Sequence, residues 1–289
     1  MLNIVSVLFV AAPLILSLPP LDFSSSGAEV SASGVDGETG DGIVAPQTIS
    51  SGDEDYAVVF DGTSQYATAT DSSLALTKST ANTVEAWVKP SQSCVTACYA
   101  VFNYRGYAIS IEGNRWRVFA YGTFLDTGVV ARVGEWQHVS LTTSGSTLRG
   151  YIDGQLVATG TSALTYDAAT TLSVGAASNP ANYFPGQVDQ VKLYDTALDA
   201  AAISSDMHTY GMYTGGSVTA SNHIAFYDFN EGPADTTGPG TMYNRVSGAS
   251  SSTNLRTVGS PTYTDVKQVA SNGNNTVVTF PRSYLTAAG

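Results

Sequence analysis

The acids of this 289-residue chain stand singly, and that spacing bounds the chemistry it can do. Hydrolysis of a glycosidic bond takes two facing carboxyls, about 5 Å apart where configuration is retained. On a strand such a pair comes from acids at i and i+2 or i+4, which share a face. No Glu-x-Asp-x-x-Glu run occurs, and Glu85, Glu112 and Glu135 are each the lone acid of their stretch. Asp53-Glu54-Asp55 do cluster, but nothing apolar surrounds them to bury a carboxyl and tune its pKa. His138, His208 and His223 are far apart, and neither a serine nucleophile elbow nor a phosphate-cradling glycine loop is present. The expectation is a chain that does not catalyse.

Binding makes different demands. Saccharides pack C–H patches on aromatic faces and take hydrogen bonds from planar amides and guanidinium forks. The residues of those types near turns and strand ends are Asn103, Tyr104, Arg105, Tyr107, Asn114, Trp116, Tyr121, Asn182 and Tyr183. The competing reading of the same rings is burial, since tyrosine and tryptophan on alternating strands pack into cores. Trp87 and Trp136 are assigned to the core, and His138, just after Trp136-Gln137, to the scaffold. Cys94 and Cys98 lack the neighbouring soft ligands of a zinc site and the Cys-x-x-Cys spacing of a redox pair. A small disulfide-closed loop fits them in an oxidising compartment, with two unpaired thiols as the alternative.

The elements that would hold these residues are short and numerous. Runs rich in Val, Ile, Tyr, Phe and Trp predict strands at 56–60, 66–69, 83–89, 99–104, 107–112, 116–121, 136–143, 147–152, 155–159, 171–174 and 186–194. Turn pairs separate them: Asp61-Gly62, Arg105-Gly106, Gly113-Asn114, Ser144-Gly145 and Asp153-Gly154. Many strands with no helical spacer make an all-β antiparallel sandwich. In 83–89, Val84, Ala86 and Val88 alternate with Glu85 and Trp87, and one set faces the core. Charged residues are only 12% of the chain against 43% hydrophobic, a composition of extracellular β-proteins. The net charge of −12 repels phosphate backbones and argues against nucleic acid as a partner, while serving solubility or cation binding.

Residues 1–20 are nearly all apolar, like the core of a secretory signal, although no Lys or Arg precedes Lys78. An anchoring segment is the rival reading. Residues 21–55, rich in Ser, Gly, Ala and acids, read as a flexible acidic linker. The protein is therefore expected to be secreted or at a cell surface.

Phe60-Asp61-Gly62, Thr83-Val-Glu-Ala-Trp-Val-Lys-Pro90, Gly134-Glu-Trp-Gln-His-Val139, Tyr151-Ile-Asp-Gly154, Leu172-Ser-Val-Gly175 and Phe184-Pro-Gly-Gln-Val-Asp-Gln-Val-Lys-Leu-Tyr-Asp-Thr-Ala-Leu198 follow one another in order. Residues 56–212 thereby resemble the laminin-G-like jelly roll of the concanavalin A-like superfamily. The resemblance implies two curved antiparallel sheets, closed by a short helix near 199–210 that Asp195 or Asp199 would cap. It also implies a structural Ca²⁺ near the Asp-Gly turn and the penultimate strand, at Asp61 and Asp189; both acids are equally plain turn and edge residues. Residues 213–289 carry His223-Ile-Ala-Phe-Tyr-Asp-Phe-Asn-Glu-Gly232, which resembles the opening strands of another such module. They form either a small β-appendage that completes the sandwich or the start of a second module. The expected function is a lectin-like carbohydrate-binding or adhesion module whose partner is a glycan or cell-surface polymer. The alternatives are a subunit of an extracellular filament, sheath or virion fibre that self-assembles through its terminal segments, and, less favoured, a glycoside hydrolase.

Overall fold

In the strand around Trp87, Val84, Ala86 and Val88 point into the main core, and Glu85 and Trp87 point the other way, yet both faces are buried. That double burial describes the architecture: two sheets pack face to face, and a helix covers part of the outer face of one. A computed structural model of the protein describes residues 56–177, 182–207, 222–231 and 240–266, with the backbone of 268–271 and 277–280. All lie in the compact unit Ile49–Gly289. The expected leader (1–20) and linker (21–55) lie outside the described residues, as do His208 and the ends of the expected 56–212 and 213–289 segments.

The first sheet has eight strands. Its order is β10 (Gln155–Thr161), β9 (Thr147–Ile152), β8 (Gln137–Ser144), β3 (Asn82–Pro90), β12 (Pro185–Tyr194), β1 (Tyr56–Asp61) and β16 (Thr262–Asp265), with β13 (His223–Tyr227) also on β12. The second, also of eight, runs β14 (Thr241–Met242), β15 (Leu255–Val258), β2 (Tyr66–Thr70), β11 (Thr171–Val174), β4 (Cys98–Asn103), β5 (Tyr107–Glu112), β6 (Arg115–Ala120) and β7 (Thr123–Val130). β17 (Gln268–Ser271) and β18 (Val277–Phe280) pair with each other. Every pairing is antiparallel. The turn chemistry is as the sequence demands: Asp153 and Gly154 take φ 49° and 76°, and Gly113 and Asn114 take 60° and 61°.

The strands after residue 222 complete the two sheets. β13 pairs with β12, β15 with β2, and β16 with β1. Ala225, Tyr227, Phe229, Met242, Leu255 and Tyr263 enter the main core, and the Tyr227 hydroxyl donates to the Thr253 carbonyl at 2.6 Å. The described C-terminal strands are thus paired within the chain.

On the outer face of the first sheet lies α1 (Ala200–Asp206), capped by Asp199, whose Oδ1 accepts from the Ala202 amide at 2.8 Å. Trp87, Trp136 and Met207 pack beneath it with Ala57 and Val266, so both tryptophans are buried, but in this satellite cluster and not between the sheets. The Trp87 indole donates to the Met207 carbonyl at 3.2 Å. The strand β7 was not expected: Asp126 and Gly128 interrupt its apolar pattern, and its side chains are half-exposed because it is an edge.

Glu85 is not the isolated acid expected. It is buried against Asp206 of α1, and Lys192 lies 3.7 Å from Glu85 and 2.5 Å from Asp206. Burial, together with Asp206, pushes the Glu85 carboxyl well above the usual carboxylate range. Against the raising effect of its own burial, Glu85 and the Lys192 charge hold Asp206 well below that range. In the C-terminal strands Glu231 bonds Arg245 at 3.1 Å, yet burial and the Asp228 charge push its carboxyl from 4.5 up to about 7.

Two outcomes follow from this packing. Ending the chain at Met207 strips from the core six side chains worth on the order of 10 kcal/mol of burial, comparable to a domain's whole stability. The truncated chain should show no cooperative thermal transition by circular dichroism; a sharp transition would contradict the pairing of β13, β15 and β16. The raised carboxyls also set a pH dependence. A folded-state pKa of about 7 against 4.5 unfolded means that Glu231 stabilises fully below about 4.5 and loses that contribution as pH rises through 7. The loss amounts to at most about 3 kcal/mol, so the urea midpoint should fall between pH 5 and pH 8. Glu231→Gln should flatten part of that slope, and an unchanged slope would contradict the assignment.

Candidate functional site

The site is built by three segments that meet at one end of the sandwich. The first is the turn after β1. Gly62 takes φ +74°, and a Cβ there would lie 2.6 Å from the Pro185 Cβ, so only glycine lets the turn approach β12. The second is the loop 92–98. A disulfide joins Cys94 to Cys98 with Cα atoms 6.0 Å apart. The carbonyls of Cys94 and Val95 accept from the Asn114 amide at 3.0 Å and the Gly113 amide at 3.1 Å, tying the loop to the β5–β6 turn. The third is 182–185. The Asn182 carbonyl accepts from the Tyr99 amide at 3.1 Å, and the Pro185 carbonyl from the Ser91 amide at 3.0 Å.

These segments border an open, shallow cleft of about 420 Å³ lined by Gly62, the loop 92–98, Asn182, Tyr183 and Pro185. That volume is in the range of small-molecule and saccharide sites. Asn182 holds φ +52° and is exposed. Tyr183 is half-buried, its ring 6.3 Å from that of Tyr66 and tilted 54° to it. The cleft therefore offers an aromatic face, a planar amide and the main chain of a loop stiffened by a covalent bridge.

Of the residues expected to contact a ligand, Asn182 and Tyr183 are in the cleft. Tyr104 and Arg105 are exposed, but at the other end of β4. Asn103, Tyr107, Trp116 and Tyr121 are core residues, each no more than 1% exposed. The Tyr107 and Tyr121 hydroxyls donate to the Leu74 and Leu76 carbonyls, at 2.8 and 3.0 Å, and the Asn103 amide donates to the Ala169 and Thr171 carbonyls. Strand alternation aims Asn103, Tyr107 and Trp116 inward, and the left-handed backbone at Tyr121 turns its ring back into the core, so the expectation of ligand contact fails for all four. Asn114 is half-buried and supports the disulfide loop. Missed were the main chain of 92–98, which lines the cleft, and Tyr66, whose ring lies beside that of Tyr183.

Asp61 and Asp189 are not brought together. Asp61 faces Pro185 across β1 and β12, and Asp189 is four residues further along, about 13 Å at strand rise. One Ca²⁺ with oxygens at 2.3–2.6 Å cannot bridge that span. The Asp61 carboxylate instead caps its own turn, accepting from the Thr63, Ser64 and Gln65 amides and from the Thr63 and Ser64 hydroxyls. Against a raising effect of partial burial, the Ser64 and Thr63 bonds hold this carboxyl well below the usual range. Asp189 is buried and accepts from the Gln190 amide at 2.6 Å. Among the described residues, no three His, Cys, Asp or Glu side chains converge to hold a metal. Acids approach one another at Glu85 with Asp206, where Glu85 is sealed beneath α1 and the partner cation is Lys192, and at Asp228 with Glu231, both bonded to Arg245.

Comparison with known proteins places this geometry. A family model described as the concanavalin A-like lectin/glucanases superfamily matches residues 61–204. Among solved structures, a provisionally named carbohydrate binding protein from Bacteroides ovatus aligns with a TM-score of 0.56 at 14% identity, covering 74% of this chain and 60% of that one. At that identity the likeness shows the fold, and the chain spans only part of that protein's length. A heptameric SAP-like pentraxin from Limulus polyphemus aligns at TM-score 0.42 and 15% identity, over 55% of this chain and 84% of that one. Domain 4 of an extracellular arabinanase from Geobacillus stearothermophilus, solved with arabinotriose, aligns at 0.42 and 20%, over 52% and 75%. No curated protein matches the chain.

The bridge at the cleft has a measurable consequence. Closing a loop of sequence separation 4 restricts the unfolded chain by about 2 kcal/mol. The double variant Cys94→Ala/Cys98→Ala should lower the unfolding free energy in urea by about that amount, and the untreated wild type should expose no titratable thiol on denaturation. Two reactive thiols would contradict the bridge.

Proposed function

We propose, for a chain whose residues 61–204 belong to the concanavalin A-like lectin/glucanases superfamily, that it is a non-catalytic carbohydrate-binding module, secreted or displayed at a cell surface. The observation that carries this reading is the cleft beside the Cys94–Cys98 bridge, where Tyr183 and Asn182 stand over a rigid loop. The half-exposed Tyr183 ring takes the C–H face of a sugar, the Asn182 amide takes two hydroxyls, and main-chain groups of 92–98 orient the rest. A pre-formed site loses little side-chain entropy on binding, which suits ligands that offer few apolar atoms.

Catalysis finds no support in the placement of the acids. A glycosidase carboxyl must reach the glycosidic oxygen; Glu85 is fully enclosed, Asp228 and Glu231 are bonded to Arg245, and the cleft itself is lined by no carboxylate. The disulfide favours an oxidising compartment. None of the described helices is long and apolar enough to cross a membrane.

The test is a glycan array read with the full chain, with and without EDTA. A subset of glycans should bind, unaffected by EDTA because no carboxylate set is assembled at the cleft. Tyr183→Ala should weaken binding about tenfold, the worth of one stacking contact, with the melting temperature unchanged. Equal binding by Tyr183→Ala, or release of reducing sugars from any bound glycan, would overturn the proposal.

A further inference from the structure

At the end of the sandwich away from the cleft, an arginine is held between two tyrosines. β4 runs from Cys98, which lines the cleft, to Asn103, and Tyr104-Arg105 form the turn beyond it, about 20 Å away at strand rise. Arg105 takes φ 66°, a left-handed conformation uncommon for a long side chain. Its guanidinium carbon lies 5.1 Å from the centre of the Tyr104 ring and 5.0 Å from that of Tyr166. Both rings stay open to solvent, at 50% and 42% exposed. The backbone holds both loops in place: the Ala169 amide donates to the Tyr104 carbonyl at 2.9 Å, and the Thr165 amide to the Tyr121 carbonyl at 2.9 Å.

Arg105 stands outside the ion pairs of the described residues, as do Lys89, Arg115, Arg149 and Arg256; what singles Arg105 out is that its unpaired guanidinium lies against two open rings. The chain has 24 acids for 12 Lys and Arg, so partners are plentiful. Lys78, Arg117, Arg132, Lys192 and Arg245 all sit in ion pairs. Among the described residues no carboxylate reaches Arg105, and no acceptor takes a hydrogen bond from it. The nearest acid in sequence, Glu112, pairs with Arg117, and Asp167, beside Tyr166, is held by Lys78 at 3.0 Å. Ring faces engage a guanidinium through its plane and leave the N–H groups on its edge pointing outward. A guanidinium fixed in this way, with its fork unused, matches the two oxygens of a carboxylate or a sulfate.

We propose that Tyr104, Arg105 and Tyr166 form a second saccharide subsite, specific for a sugar that carries an anionic group, either a carboxylate or a sulfate ester. Arg105 takes the anion through its fork, and the open rims of the two tyrosines take the ring's C–H groups and hydroxyls. The site is separate from the cleft and does not depend on it. Because the protein as a whole carries −12, long-range electrostatics repel polyanions, so any preference for them must arise at a local cationic site.

Affinity electrophoresis of the full chain in dextran, carboxymethyl-dextran and dextran sulfate tests this with one backbone and three charge states. The wild type should be retarded at least tenfold more strongly by one or both charged forms than by dextran. Preference for the carboxymethyl form identifies a carboxylate, and for the sulfated form a sulfate. Arg105→Gln should abolish the preference with an unchanged melting temperature. Arg105→Lys should restore less than half of it, since a point charge lacks the fork. Tyr166→Ala should weaken it several-fold. The proposal is overturned if dextran binds as well as its charged derivatives, if Arg105→Gln behaves as wild type, or if polyglutamate of matched charge binds as tightly, which would mark an acidic-peptide site. The cleft is read separately, by Tyr183→Ala on the glycan array, so either site can fail without the other.

Discussion

The structure depends on the pairing of β12. Along Pro185–Val188 this strand bonds to β1 on one side and β3 on the other, and along Val191–Tyr194 it bonds to β3 and β13. The change of partner falls at a bulge between Asp189 and Lys192, where Gln190 takes φ 49°. One strand thereby joins the first described strand, the centre of the first sheet and the C-terminal strands into a single core. The constraint extends to Gly186, at φ 146°, where a Cβ would lie 2.9 Å from the Pro90 Cα. Any side chain there would force β3 and β12 apart.

The cleft follows from the same pairing. β12 begins at Pro185, the residue that closes one wall of the cleft and packs on Gly62 of the opposite turn. The disulfide loop closes another wall and is itself bonded to the β5–β6 turn. Rigid strands thus hold a rim of short loops, an arrangement that suits recognition because the scaffold, not the ligand, fixes the loop geometry. The outer face of the first sheet is put to another use. There α1 covers Trp87, Trp136 and the Glu85–Lys192–Asp206 charges, so this acid pair is part of helix docking.

Much of the fold is legible in the sequence, because two-residue periodicity and turn pairs are local signals. Asp153-Gly154 and Gly113-Asn114 demand positive φ and obtain it. The edge strand β7 is not legible, because edge positions tolerate the Asp126 and Gly128 that break an apolar run. Nor is the partner of β1: Tyr56 pairs with Asp265 across almost the whole described chain, and no local pattern encodes that distance. The site was half legible. Residue type pointed equally to Tyr104, Tyr107, Trp116, Tyr121 and Tyr183, but type does not say which rings face inward. Strand parity sends Tyr107 and Trp116 to the core, and the left-handed Tyr121 at the end of β6 turns back to reach the Leu76 carbonyl. The acid pair Glu85–Asp206 was illegible because it joins a strand to a helix more than a hundred residues later.

The central claim is that the rim around the Cys94–Cys98 bridge receives the sugar. It is tested most directly by ¹⁵N-edited NMR titration of the intact chain with a glycan that it binds. The account predicts that the largest amide shifts fall on 92–98 and on Asn182 and Tyr183, with α1 and the outer face of the first sheet unmoved. Shifts concentrated on α1 and β12, with the cleft amides silent, would contradict it.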